Sequence, residues 1–240
     1  MSWLDSVRVA LDDTEASCEF FFRDDDAGWD DEGLESLLDL FEGRGLPVDV
    51  AVIPAELTAP LTALLTARAT GGGVRLHQHG LAHVNHEPAG RKCEFGPARH
   101  LAAQLADITA GRDLLSDAFG DLVDPVFTPP WNRSSPDTGA AVQSAGLRVL
   151  SRDTSAGRLD RADLAEVPVT VDWFAHRKGT RLTRVELAER IAAGVVVGEP
   201  VGVMLHHAIT DASEREAIDE LLALVAGHPA AAVTNILALA

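Results

Sequence analysis

Cysteine is scarce in this chain: Cys18 and Cys93 are the only two in 240 residues. That is too few for a disulfide framework, although it leaves room for one bridge. Positive charge is also thin, with 20 Lys and Arg against 37 Asp and Glu and a formal net charge of −17. So acidic a surface repels phosphate backbones and anionic lipid, so neither a nucleic acid nor a membrane is expected as partner. A net charge does not exclude a local cationic site. No apolar run approaches the length needed to cross a bilayer. The opening "MSWLDSVRVALDDTEAS" lacks the basic start and apolar core of a signal peptide and reads as a short amphipathic helix within 1–17. These absences lead to the expectation of a cytoplasmic protein. No internal repeat, low-complexity tract or linker interrupts the sequence, so 1–240 is expected to form one domain. Apolar residues make up 46% of it, which suffices for a buried core.

Strand-like and helix-like stretches alternate. "CEFFFR" (18–23), "PVDVAVIP" (47–54), "VRLHQ" (74–78), "DPVFTP" (124–129), "LRVLS" (147–151), "AEVPVTVDW" (165–173) and "PVGVMLHH" (200–207) read as strands. Between them lie helix patterns such as "ARHLAAQLADITAGRDLLSDAFG" (98–120) and "SPDTGAAVQSAG" (135–146), the second opening on a serine cap followed by proline. Repeated β-then-α order predicts a parallel sheet with helical crossovers. Seven or eight units in this length fit a small β/α barrel better than an open sheet. The irregular stretches 79–97, 129–134 and 152–164 are long for connectors and are candidate functional loops.

In such a barrel the active site lies at the C-terminal ends of the strands. The residues found there are chemically uneven. Strand one ends in Asp24, Asp25 and Asp26, and strand three in His77 and His79 with His83 just beyond. Strand four runs into Thr128, Pro129, Pro130 and Trp131, strand six ends in Asp172 and Trp173, and strand seven in His206 and His207. Adjacent carboxylates repel one another, and a divalent cation relieves that repulsion; taken alone, the three aspartates also read as a solvated turn capping the next helix. His79 and His83, four apart, can converge on one ion. Two imidazoles and a carboxylate with open positions make a catalytic divalent-metal set, commonly zinc. Neighbouring residues on a strand point to opposite faces, so at most one of His206 and His207 faces the axis. Indoles at a polar rim serve as packing or as sugar-stacking walls.

In order and position these pieces resemble the polysaccharide deacetylase family (NodB homology, carbohydrate esterase family 4). "FFFRDDDAG" resembles its paired-aspartate strand end, "HGLAH" its His-x-x-x-His, "FTPPWN" its Pro-Pro-aromatic turn, "VDWF" its Asp–Trp element and "VMLHH" its strand ending in histidine. The similarity spans roughly residues 18–210. It implies an α/β fold, a single deformed (β/α)7-type barrel, and metal-dependent removal of an acetyl or other acyl group from an N-acylated amino sugar or sugar conjugate.

The resemblance implies roles residue by residue. Asp25 is expected as general base, with Asp26, His79 and His83 as ligands of one divalent ion, zinc first and cobalt, nickel or manganese as alternatives. His206 is expected as general acid tuned by Asp172, and a backbone N–H near Trp131 as oxyanion donor. Pairing Asp24 with Asp25 instead stays open, and strand alternation favours Asp24 and Asp26 on one face. Substrate contacts are expected from Trp131 and Trp173, and around them from Asp24, His207, Asn132, Arg133 and His86. The substrate is expected to be a small molecule or oligosaccharide; nothing in the sequence speaks to oligomeric state. The chain departs from the family at Thr128, where an arginine usually braces the base; Arg23 or Arg133 is the available substitute. Two other readings keep the same barrel: hydrolysis of a non-sugar linear or cyclic amide, and non-catalytic binding of metal or sugar.

Overall fold

The computed structural model describes residues 2–240. A first helix, α1 (Asp5–Asp12), precedes β1 (Cys18–Ala27), α2 (Asp31–Arg44), β2 (Val48–Val52), α3 (Ala59–Thr70) and β3 (Val74–His79). Next come α4 (Leu101–Phe119), β4 (Val123–Thr128), α5 (Pro136–Ser144) and β5 (Val149–Leu150). The chain continues through β6 (Ala165–Glu166), β7 (Val171–Asp172) and a hairpin of β8 (His176–Arg177) and β9 (Thr180–Arg181). It ends with α6 (Arg184–Val197), β10 (Val201–Leu205), α7 (Ala212–Gly227) and β11 (Ala231–Val233). No helix among the described residues is long and apolar enough to cross a membrane.

The strands form one curled, parallel sheet in the order β6-β5-β4-β3-β2-β1-β10-β7, with β11 beside the start of β1. This is the deformed β/α barrel expected from the strand–helix alternation. Its two outer strands are consecutive pieces of one extended segment. The Val167 and Val169 N–H groups donate to Leu150 and Arg152 on one side, and those of Thr170 and Trp173 to Gly202 and Met204 on the other. The predicted strand 165–173 is therefore real, but it divides its bonds between the two ends of the sheet. Pro168, which has no N–H to give, sits near the changeover.

Helix ends follow local chemistry. Ser135 and Thr138 form a capping box at α5, and Thr183 and Glu186 another at α6. Outside the sheet, Phe20, Phe22, Val50, Val203 and Leu205 pack against helix residues such as Leu37, Phe41, Leu187 and Leu221. Inside, Phe21, Val126, Val149, Val169 and Met204 fill the lower barrel, and Ile236 from the C-terminal segment joins them. Gly202 is required in that layer, because a Cβ there would meet the Phe21 ring at 2.2 Å. Cys18 and Cys93 are both free buried thiols, so the one possible bridge does not form.

A carboxyl group lies beneath this apolar layer. Asp49 is fully buried and accepts the Ile236 N–H at 3.0 Å. Burial pushes its pKa up to about 8, despite that bond. Below the ordinary carboxylate range Asp49 is protonated whether the chain is folded or not; between that range and about pH 8 only the folded state holds the proton. Asp49 therefore contributes stability at acid pH that is lost as pH rises toward 8. We expect Asp49→Asn to flatten this part of the profile, read as urea midpoints from pH 4 to 9; an unchanged slope would show that Asp49 is already ionised.

Candidate metal centre

The strand-end aspartates divide between two faces. Arg23 and Asp25 lie two apart on β1, so they share the inward face, where Nε and Nη2 of Arg23 donate to the two Asp25 oxygens at 2.7 and 2.9 Å. Asp24 points outward and is fully buried; its carboxylate accepts the His207 backbone N–H at 2.9 Å and the His207 Nδ1–H at 2.6 Å. Simple alternation would send Asp26 outward with Asp24. Asp26 instead has φ +73°, and the pairing of β1 with β2 shifts register between Asp24 and Ala27. This bulge turns Asp26 back to the axis, so Asp25 and Asp26 both line the cavity.

His79 and His83 meet Asp26 there. Their Nε2 atoms lie 3.0 and 3.1 Å from the same oxygen, Oδ1. One donor atom from each of the three residues falls within 4.8 Å of the others. The His79 Nδ1–H donates to the Thr128 carbonyl at 3.1 Å, which leaves the Nε2 lone pair free for an ion. His83, at φ +54°, is wedged between Trp29 and Trp131 with ring centroids 4.6 and 4.3 Å away. Two neutral imidazoles and an ionised carboxylate, converging with open cavity on one side, suit a divalent cation. When their Nε2 atoms carry protons the two imidazoles donate to Asp26 instead. Burial pushes that carboxyl up, but these bonds and the imidazole charges hold it far below its usual range; burial would lower His79, yet its bond to Asp26 raises it.

The loop between the two histidines has its own support. Glu94 is buried, and its Oε1 accepts the N–H groups of Leu81 and Ala82 at 3.3 and 2.9 Å. Gly80, with φ +57°, admits no side chain, because a Cβ would meet Glu94 Oε2 at 2.3 Å. Glu94 thus fixes the turn that delivers His83.

Arg23 provides the brace that Thr128 cannot. It is fully buried, and it also donates to Ser151 Oγ and Asn132 Oδ1 at 2.8 and 2.7 Å. Burial alone would raise Asp25, but the guanidinium outweighs it and holds the carboxyl below its ordinary range. Arg133 points elsewhere, donating to the Lys92 carbonyl. His77 fills the space at Thr128, its Nε2 lying 2.9 Å from the hydroxyl, and burial lowers its pKa to about 3.

The cavity, of about 390 Å³, is lined by Asp25, Asp26, Trp29, His79, His83, Lys92, Trp131, Asn132 and His206. Its His206 Nε2 lies 3.9 Å from Asp26 Oδ2. Several expected contacts are corrected. Trp173 faces the helices, where it is buried against Trp3 and donates to Glu214 at 2.7 Å, so it is no substrate wall. Asp24 and His207 are a buried pair out of the substrate's reach. The second ring N–H of His207 reaches the Trp29 carbonyl; although burial opposes the charge, these partners lift its pKa to about 9. His86 is exposed on the following loop and does not line the cavity. Asp172 accepts the Phe174 N–H at 2.8 Å, while His206 Nδ1 is buried with no hydrogen-bond partner among the described residues. No hydrogen bond joins Asp172 to His206. Burial raises the Asp172 carboxyl above its ordinary range.

Trp29, Lys92 and Glu94 belong to this region and were not singled out from sequence. Trp29 follows the aspartates directly; Lys92 and Glu94 come from the loop 79–97, where only its length was a signal.

Two outcomes follow from this geometry. His79→Ala together with His83→Ala should abolish stoichiometric zinc binding, read by elemental analysis; retained binding would remove these residues from the centre. Arg23→Met should cost about 3–5 kcal/mol in urea unfolding, because it strands a buried carboxylate, and adding Asp25→Asn should recover part of that loss.

No family model matches the sequence, and no curated protein matches it. Solved structures do. A putative polysaccharide deacetylase from Mycobacterium smegmatis superimposes with TM-score 0.74 at 15% identity, covering 95% of this chain and 90% of the other. A family 4 acetyl xylan esterase from Clostridium thermocellum, solved with a cobalt ion, gives 0.58 at 14% identity over 92% and 89%. A mutant of a CE4 family pseudoenzyme gives 0.57 at 14% identity over 94% and 67%. The chain has the fold of the CE4/NodB-like polysaccharide deacetylases, and it carries at its strand ends an Asp–His–His metal triad of the kind that resemblance implies.

Proposed function

We propose that the chain is a metal-dependent hydrolase that removes an acetyl or other acyl group from an N-acylated amino sugar or sugar conjugate, with zinc as its ion. The observation that carries this reading is a braced carboxylate, Asp25, and an imidazole, His206, lining the same cavity as the Asp26–His79–His83 triad. A divalent ion held by Asp26, His79 and His83 would supply Lewis acidity to the acyl carbonyl and to the attacking water. Asp25, ionised beside Arg23, accepts the proton of the attacking water. His206, protonated, delivers a proton to the departing amine.

The Trp131 N–H donates to the developing oxyanion. Trp131 has φ +58° and the next residue, Asn132, φ +56°, a left-handed pair that stands the turn out over the cavity. Trp29 and Trp131 flank the opening as faces on which a sugar ring can stack. We assign Asp172, whose carboxyl feels the charge of His206, as the carboxylate that supports this acid. The sugar reading rests on these two indoles and on the substrates named for the similar structures, which include acetyl xylan and peptidoglycan N-acetylglucosamine.

Asp25→Asn and His206→Ala should each lower kcat by about 10²–10⁴ for an N-acetyl amino sugar with zinc content unchanged. Zinc-loaded variants with full activity would overturn both assignments. Turnover of simple linear or cyclic amides but of no amino sugar would move the substrate class. Sugar binding without any turnover across an acyl-amide panel would make the barrel a binding protein.

A further inference from the structure

A lysine lines the cavity, although the chain as a whole carries a formal charge of −17. Lys92, one of only two lysines, lines the cavity with its Nζ 5.9 Å from the centre of the Trp131 ring. Arg91 precedes it in sequence, and Nη1 of Arg133 donates to the Lys92 carbonyl at 2.8 Å. Arg133 Nε is buried with no partner. Burial and, after it, the charge of Arg91 lower the Arg133 pKa.

None of the three makes an ion pair among the described residues, whereas Arg44, Arg68, Arg75, Arg99 and Arg152 each hold a carboxylate. Nearby carboxylates are committed elsewhere. Glu87 accepts the Ala98 N–H, Glu94 the Leu81 and Ala82 N–H groups, Asp25 is held by Arg23, and Asp26 by two histidines. An ammonium without an ion-pair partner, standing at a pocket, favours a bound anion.

We propose that the substrate of this site carries an anionic group, a phosphate or a carboxylate, which the Lys92 ammonium receives beside Trp131. This rests on the hydrolase reading and adds the substrate's charge to it. The cavity is of a size for a single small ligand. A sugar ring against Trp131, with its acylated nitrogen at the triad, places a charged substituent at the rim where Lys92 stands.

The test is binding of deacylated products, which cannot turn over, to the zinc-loaded protein. Calorimetry would compare glucosamine, glucosamine 6-phosphate and the corresponding 6-carboxylate. At low salt the anionic sugars should bind at least about tenfold tighter, which is about 1.4 kcal/mol, and salt should shrink the margin. The stronger of the two anions identifies the group. Lys92→Gln should bring the anion-to-neutral ratio close to one. Equal affinities in the wild type would overturn the proposal. So would a preference that survives Lys92→Gln, since that would be phosphate or carboxylate meeting the metal directly. Rates with the N-acetylated forms separate the two readings. Anion preference without hydrolysis of any of them overturns only the hydrolase reading; hydrolysis without anion preference overturns only this one.

Discussion

The ion pair between Arg23 and Asp25 is the constraint around which the upper barrel is built. Both groups are removed from water, and removing either partner strands a charge in a medium of low polarisability. The pair holds because the guanidinium is bonded on several sides: Asp25 accepts from Nε and Nη2, Asn132 also from Nη2 and Ser151 from Nη1, with the Met204 sulfur 3.2 Å from Nη2. Those partners come from β1, from the residue after β5, from the turn beyond β4 and from β10. One buried cation therefore ties the floor of the cavity to strands from both sides of the sheet. It also keeps Asp25 ionised in a place where burial alone would neutralise it.

The second constraint is the bulge at Asp26. A regular strand offers only alternate residues to one face, and a cavity lined by two neighbouring carboxylates cannot be served by it. The left-handed residue at the end of β1 resolves this by letting consecutive aspartates line one cavity while Asp24 turns out to grip His207. The bend in the chain also brings Trp29 against His83. Backbone geometry and ligand geometry are here the same feature.

Much of this was legible in the sequence. Alternating β and α patterns pointed to the barrel, because periodicity of two and of 3.6 reflects which faces are buried. His79 and His83 were legible as a ligand pair because one strand end and one short turn determine their separation. The outward turn of Trp173 follows from the alternation that places Asp172 inward, yet an indole beside an aspartate reads equally well as a substrate wall. The replacement of the usual arginine was visible only as a gap at Thr128, with two candidates to fill it; choosing Arg23 over Arg133 needs the knowledge that residues 23 and 25 share a face beyond the barrel's midpoint. Lys92 and Glu94 reach the site through a loop without periodicity, and a loop's path is set by contacts that no local pattern encodes.

The pairing of β1 has a consequence for how the site comes into being. Asp24 and its neighbours sit near the start of the chain, while the strands beside them, β10 and β11, lie near its end. Contacts across such a sequence separation carry a large loop-closure cost and form late. A ribosome-bound chain that has exposed the aspartates, the triad histidines and both cavity tryptophans has β2 to pair with β1 but still lacks β10 on its other side, and with it His206 and His207. The triad and its supports all lie upstream of β10, so what arrives last is His206 and the His207 anchor of Asp24.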